Sequence, residues 1–236
     1  MFAVYKREFQ SYFYSPIGYV FVGFFLLVGG FLFNIYNINA MDPRLTSLFS
    51  NLSFIFLLLV PILTMRMFTE ERKQKTDQML LTSPCPLYKI ILGKYFAAVT
   101  VYIIALVITG VYPIILLIYG NPSVGEILCD YIGLFLLGCS FISIGTLVSA
   151  LTENQVTAAV ATFAVLLILY VWDSLIPAAQ SPFIVTILEW LSLVLRYGDF
   201  QAGVLTLAPV VYYVSFSAVM VFLTYRSVEK RRWSEG

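Results

Sequence analysis

Residues 17–38 read IGYVFVGFFLLVGGFLFNIYNI, twenty-two residues with no charge among them. A hydrocarbon core about 30 Å thick is crossed by about 20 helical residues. This one stretch therefore names the solvent in which the rest of the chain folds, and that solvent is lipid. The composition agrees: of 236 residues, 60% are apolar, 17% aromatic and only 11% charged, with a mean hydropathy of +0.89. A soluble domain stays nearer half apolar and a quarter charged, because it must cover its surface with polar groups. A net charge of +1 argues against nucleic acid as a partner. The absence of histidine removes His-ligated metal sites and Ser-His or Cys-His nucleophiles, and Cys85, Cys129 and Cys139 lack the paired spacing of a metal or redox motif.

Working outward, six apolar stretches reach spanning length: Ile17 to Ile38, Leu45 to Met65, Ile90 to Tyr119, Ile127 to Ala150, Val156 to Ile176 and Thr206 to Tyr225. The third is long enough to tilt, to kink at Pro113 or to start in the interface. Twelve of the fourteen basic residues fall on one side: Lys6 and Arg7, then Arg66, Arg72, Lys73, Lys75, Lys89 and Lys94, then Arg226, Lys230, Arg231 and Arg232. Arg44 and Arg196 remain for the other side, with Asp42, Glu126, Asp130, Asp173, Glu189 and Asp199. The positive-inside rule then predicts that both termini are cytoplasmic. The first apolar run continues past the core of a signal peptide and shows no small-residue cleavage site, so it is expected to stay as a membrane helix.

Three segments are neither spans nor simple loops. Before the first span, Phe2, Tyr5, Phe9, Tyr12 and Phe13 share one side of a helical wheel, with Arg7, Glu8, Gln10 and Ser11 on the other. This pattern fits an interfacial helix over residues 1–15, with Lys6 snorkelling toward phosphates and Pro16 forcing an elbow, or else a polar extension of the first span. Between spans two and three, residues 66–89 crowd charges from Glu70 to Lys75. Thr76 and Asp77 then offer N-caps for a short helix carrying Met79, Leu80 and Leu81, ended by Pro84 and Pro86. Each such apolar side chain gains roughly 1.5–3 kcal/mol on burial. The helix therefore calls for a cover, which is either a partner surface or the membrane and span three. Between spans five and six, the apolar run Phe183 to Leu195 is too short to cross. It either dips into the outer leaflet and returns through Arg196-Tyr197-Gly198-Asp199, with Glu189 and Trp190 at the interface, or lies flat outside.

Ion-driven transporters and voltage sensors place ionisable groups deep in their spans. Here every Asp, Glu, Lys and Arg is expected near a helix end. Glu126 and Asp130, at i and i+4 on the rim of span four, read as two solvated carboxylates. No Gly-x-x-x-x-Gly-Lys-Ser/Thr phosphate loop occurs in the sequence, so nucleotide hydrolysis is not expected of this chain. The spacings Gly145 to Ser149 and Ala158 to Thr162 suit close helix packing. Asn34, Asn37 and Asn39 read as solvated helix-end residues, with contact to a polar substrate as the alternative.

The stretch Arg66-Met67-Phe68-Thr69-Glu70-Glu71-Arg72, followed by Gln78-Met79-Leu80-Leu81-Thr82-Ser83-Pro84 and Leu92-Gly93-Lys94-Tyr95, resembles the ABC-2 type transporter permeases. The likeness is greatest to the gliding-motility-associated and nitrous-oxide-reductase-accessory permease subunits of bacteria. Arg196 to Val204 and Arg231-Arg232-Trp233 add to it, and it covers essentially the whole chain. The resemblance implies a single all-α membrane domain over residues 1–236, of the ABC-2 or type V exporter-like kind. Its parts would be six transmembrane helices, an N-terminal interfacial helix, a cytoplasmic coupling helix and re-entrant outer helices within 177–205.

The likeness further implies a half-transporter of the bacterial inner membrane. Two permease subunits, identical or related, would pair through spans one and five, and two separate ABC ATPase subunits would bind ATP and Mg. The coupling helix would fall on about Thr76 to Ser83, bringing Thr76, Asp77, Met79, Leu80, Leu81, Thr82, Ser83 and Pro84 against the ATPase. Glu70, Glu71 and Arg72 would brace it. Many relatives carry a glycine before that helix, where this chain has Lys75-Thr76. The chain itself would hold no cofactor or metal and catalyse nothing. Its apolar, aromatic character suits export of a lipid-linked, amphipathic or polymeric substrate. Two other classes stay open from the residues alone: a membrane anchor or assembly subunit of a motility or metal-cluster maturation machine, and a membrane enzyme built on Glu126 and Asp130.

Overall fold

The computed structural model describes residues 2–73, 86–120, 122–175 and 192–234. Among them every regular element is helical, and six stretches are long and apolar enough to cross a membrane: Pro16–Asn39, Thr46–Lys73, Leu87–Tyr119, Val124–Leu151, Gln155–Trp172 and Leu207–Lys230.

The chain opens with α1, Phe2–Tyr14, and turns at Ser15, whose backbone is extended (φ −93°, ψ 158°), into α2, Pro16–Phe33. Pro16 suits the first helical position, since the N–H it lacks would have no helical partner there. Gly18 makes the elbow tight: a Cβ at this position would sit 2.7 Å from the Tyr12 carbonyl oxygen. The N-terminal aromatic row thus forms a separate helix and not an extension of the first span. Tyr12 is buried and its hydroxyl donates to the Leu63 carbonyl at 3.3 Å.

At its far end α2 widens into a π-helical turn, Asn34–Asn39, before α3, Thr46–Thr64. α3 ends where the second span was expected to end, with Met65 as its C-cap, and one turn later the chain enters a separate short helix, α4, Thr69–Lys73. The third span is broken into α5, Leu87–Ile108, and α6, Val111–Tyr119. The break lies at Thr109–Gly110 and not at Pro113, because a proline disrupts the helix through the carbonyl four residues before it. That carbonyl, of Thr109, accepts a hydrogen bond of 2.8 Å from the Tyr131 hydroxyl on the next span.

The fourth span, α7 (Val124–Leu151), is the most buried of the six, with α3, α5, α10 (Leu207–Ser234), α8 (Gln155–Leu175) and the short α9 (Tyr197–Gln201) packed about it. In lipid, apolar surface gains nothing by moving from tails to protein, so close van der Waals fit has to hold the bundle. Small residues on α7 supply that fit. A Cβ on Gly133 would lie 2.7 Å from Phe200, one on Gly138 2.4 Å from the Tyr102 ring, and one on Gly145 2.3 Å from the Thr64 hydroxyl. Ala158 and Thr162 are fully buried as well. Aromatic contacts then run across the bundle: Phe25 stacks on Phe56 at 5.6 Å, and Phe56 meets Tyr102 edge-on at 5.2 Å. The Tyr102 hydroxyl closes the row by donating to the Leu134 carbonyl at 2.7 Å.

Gly138→Leu should therefore overpack the Tyr102 contact and cost about 1–3 kcal/mol, read as a lower thermal midpoint of the purified protein in detergent. Gly125→Leu, on the same helix with open space around it, should leave the midpoint nearly unchanged; equal losses for both would contradict this packing account.

Candidate functional site

The turn from α3 into α4 carries the residues expected to brace a coupling helix, and each is bound to a different element. Glu70 pairs back with Arg66 through two guanidinium hydrogen bonds. Arg72 donates through Nη1 to the Thr152 carbonyl at 2.9 Å, at the C-terminal end of α7. Carbonyls of a last helical turn lack partners within the helix and attract cations. Ser149 ties the same corner: its hydroxyl accepts the Phe68 N–H at 3.2 Å and donates to the Met65 carbonyl at 3.4 Å. Glu71 turns the other way, toward a charge inside the third span.

That charge is Lys94. It lies about two turns from the start of α5, near a helix end as expected, but it is only 2% exposed. Its ammonium has three hydrogens and no lone pair, and three acceptors surround it. Nζ lies 2.8 Å from the Met67 carbonyl, 2.9 Å from Glu71 Oε1 and 3.1 Å from Glu8 Oε2. Arg7 closes the cluster, donating through Nη2 to Glu8 at 2.7 Å and to Glu71 at 3.0 Å. The Glu8 hydrogen bond raises the guanidinium's already high pKa, so Arg7 stays charged at any working pH. Two cations and two carboxylates thus join α1, α4 and α5, and their charges cancel.

The neighbours of Lys94 explain the rest of the Leu92-Gly93-Lys94-Tyr95 motif. A Cβ on Gly93 would lie 3.2 Å from Val4 and 3.3 Å from the Tyr5 backbone nitrogen, so glycine lets α1 cross α5 closely enough for Glu8 to reach the ammonium. Tyr5 adds a hydroxyl contact to Thr100 at 3.0 Å, and the Tyr95 hydroxyl donates to the Cys139 carbonyl on α7 at 3.1 Å. One signal was visible in the sequence. A lysine inside an apolar helix needs an anionic partner, although sequence position does not pick out Glu8 and Glu71 from the other carboxylates on the basic side.

The remaining bracing and docking residues divide sharply. Glu70, Glu71 and Arg72 are brought together at this corner. Thr76, Asp77, Met79, Leu80, Leu81, Thr82, Ser83 and Pro84 lie outside the described residues, as do residues 183–191 of the outer segment, with Glu189 and Trp190.

At the opposite end, two sequence readings need correction. Asp130 is not a solvated rim carboxylate: it is 1% exposed, with Oδ2 accepting from the Thr46 hydroxyl at 3.2 Å and Oδ1 unpaired among the described residues. Glu126 is half-buried at the edge and packs against Gly203, so the two carboxylates do not converge on a common open site. Asn37 is neither solvated nor open to substrate. It is buried, and its Nδ2 donates to the carbonyls of Asp42 at 2.9 Å and Arg44 at 2.8 Å, which fixes the turn between the first two spans. Asn34 and Asn39 are exposed, as the solvated reading expects.

Six apolar helices define a multi-pass membrane protein, with a leading helix bent across the third span and an ion-bound corner after the second. The family model for the ABC-2 family transporter proteins matches residues 2–223, and the chain belongs to that family. It is the permease component of an ABC transporter. No curated protein matched the chain.

Removing one partner from a buried ion cluster leaves the others uncompensated. Lys94→Met should lower stability by on the order of 3 kcal/mol, and Glu71→Gln in the same chain should restore part of that loss. Thermal unfolding of the two single variants and the double variant measures the coupling; strictly additive losses would show that the two residues do not act together.

Proposed function

We propose that this chain is one of two permease subunits in a bacterial inner-membrane transporter, with its basic side cytoplasmic and its movements driven by two separate ABC ATPase subunits that bind ATP and Mg. Its coupling helix falls on about residues 76–83, and Met79, Leu80 and Leu81 seat in the ATPase. Within the family it is of the gliding-motility-associated and nitrous-oxide-reductase-accessory kind. Its cargo is a lipid-linked, amphipathic or polymeric molecule moved outward. A second copy, or a related permease, pairs through spans one and five.

The observation that carries this reading is the way the root of the segment is bound. Coupling requires that the docked helix contact the open and closed ATPase pair differently, and that this difference reach the spans. A segment hung on a loose loop would absorb the displacement. Here the residues just before it are tied to α1 and α5 through Glu71 and to the end of α7 through Arg72, so three elements receive the motion together.

Replacing Leu80 and Leu81 by Glu tests the assignment. Membrane insertion should be unchanged, while ATPase copurification and transport-linked ATP turnover in reconstituted vesicles should be lost. Undiminished turnover would refute the coupling role of these residues.

A further inference from the structure

Away from the ion cluster, a groove of about 580 Å³ opens between α5, α7 and α10. Binding sites for small apolar ligands have roughly 300–1,000 Å³. Leu92, Phe96, Phe135, Leu136, Ala218 and Val221 give it a carbon wall. Polar groups along it are already engaged with the protein. The Tyr95 hydroxyl donates to the Cys139 carbonyl at 3.1 Å, the Ser217 and Ser140 hydroxyls meet at 3.2 Å, and the Tyr213 hydroxyl donates to the Leu193 carbonyl. Such a wall is poorly suited to a polar solute and well suited to a hydrocarbon chain.

The two ends of the groove differ in charge. At the basic end its lining includes Tyr88 and Phe222, and each ring carries a cation. Lys89 Nζ lies 5.9 Å from the Tyr88 centroid, and the Arg226 guanidinium carbon 5.4 Å from that of Phe222. Lys230 follows one turn beyond Arg226 and is exposed. Glu229, paired with Arg226 at 3.1 Å and with the Tyr225 hydroxyl at 2.8 Å, is the one carboxylate on this stretch of α10. The mouth is therefore positive where it meets the headgroup layer. Long cationic side chains held over aromatic rings at this depth are placed to bind phosphate.

We propose that the groove between spans three, four and six holds one acyl chain of an anionic phospholipid, with its phosphate held between Lys89 and Arg226. The lipid belongs to the leaflet on the basic side and is a resident of the permease, not its cargo. The inference does not depend on what the transporter carries. Charge complementarity decides for lipid over a helix of a second copy, because the positive mouth has an anion to match in the headgroup and nothing to match in an apolar span.

The test uses the full chain in nanodiscs of mixed phosphatidylglycerol and phosphatidylcholine, with a photoactivatable acyl analogue of each lipid in turn and adducts mapped by peptide mass spectrometry. Adducts of the phosphatidylglycerol analogue should concentrate on Leu92, Phe96 and Phe135, and Ala218→Trp, which fills the groove, should abolish them. Lys89→Gln with Arg226→Gln removes the two ring-borne cations at the mouth. At roughly five-fold per charge, the pair should lower labelling by the anionic analogue about 25-fold and leave the phosphatidylcholine analogue unaffected. Adducts spread evenly over the exposed faces of α2 and α8, equal labelling by both analogues, or cross-links from the groove to a second copy would each overturn the proposal.

Discussion

A lysine ammonium removed from water, with one acceptor for each of its three hydrogens, governs how the basic end of this permease is put together. For Lys94, attraction to its two carboxylates at separations near 3 Å is set against a cost of several kcal/mol for taking the ammonium out of water, and the Arg7 contacts add little because that side chain is 56% exposed and screened by solvent. The two nearly cancel, so the Arg7, Glu8, Glu71 and Lys94 cluster contributes little net stability. What it contributes is geometry. Lys94 is satisfied only when α1, α4 and α5 meet in one arrangement, and any arrangement that separates them strands a buried charge.

This constraint complements the one along α7. In the membrane interior the helices are held by close fit, with Gly133, Gly138 and Gly145 each admitting a side chain from a neighbour. At the basic end the contacts are ionic and directional. The short range of van der Waals contact keeps the centre of the bundle rigid, while the corner after α3 is fastened by charges and hydrogen bonds from three sides. A force applied to the segment beyond Lys73 therefore enters the bundle at a point already bound to α1, α5 and the end of α7.

Much of the fold was legible because the lipid solvent imposes it. Stretches such as residues 17–38 have no alternative to spanning, and the aromatic periodicity before Pro16 marked a separate helix. What escaped the sequence was which polar residues the helices enclose. Lys94 was counted at the basic end of the third span without a partner, because hydropathy averages over a window in which one charge scarcely registers, and its partners are separated from it by 86 and 23 positions, distances that no local pattern spans. Asp130 and Asn37 lie near helix ends, where exposure is the ordinary expectation, yet α3 and the turn after α2 cover them. For the third span the sequence left tilt, a kink at Pro113 or an interfacial start open; the helix breaks at Thr109–Gly110, since the proline ring acts on a carbonyl one turn back. Glu70, Glu71 and Arg72 were picked out through a family likeness; their individual partners emerged only from the three-dimensional arrangement.

The most direct measurement of the central claim is the distance between spin labels at Ser11 on α1 and Lys73 at the end of α4, both exposed, in the assembled transporter with and without ATP. If the Lys94 cluster makes α1 and the root of the coupling segment one body, that distance is the same in both states and broadens when Lys94 is replaced by Met. A change in the unmodified cluster between the two nucleotide states would contradict the account, because it would mean that the motion is absorbed at this joint and not passed through it.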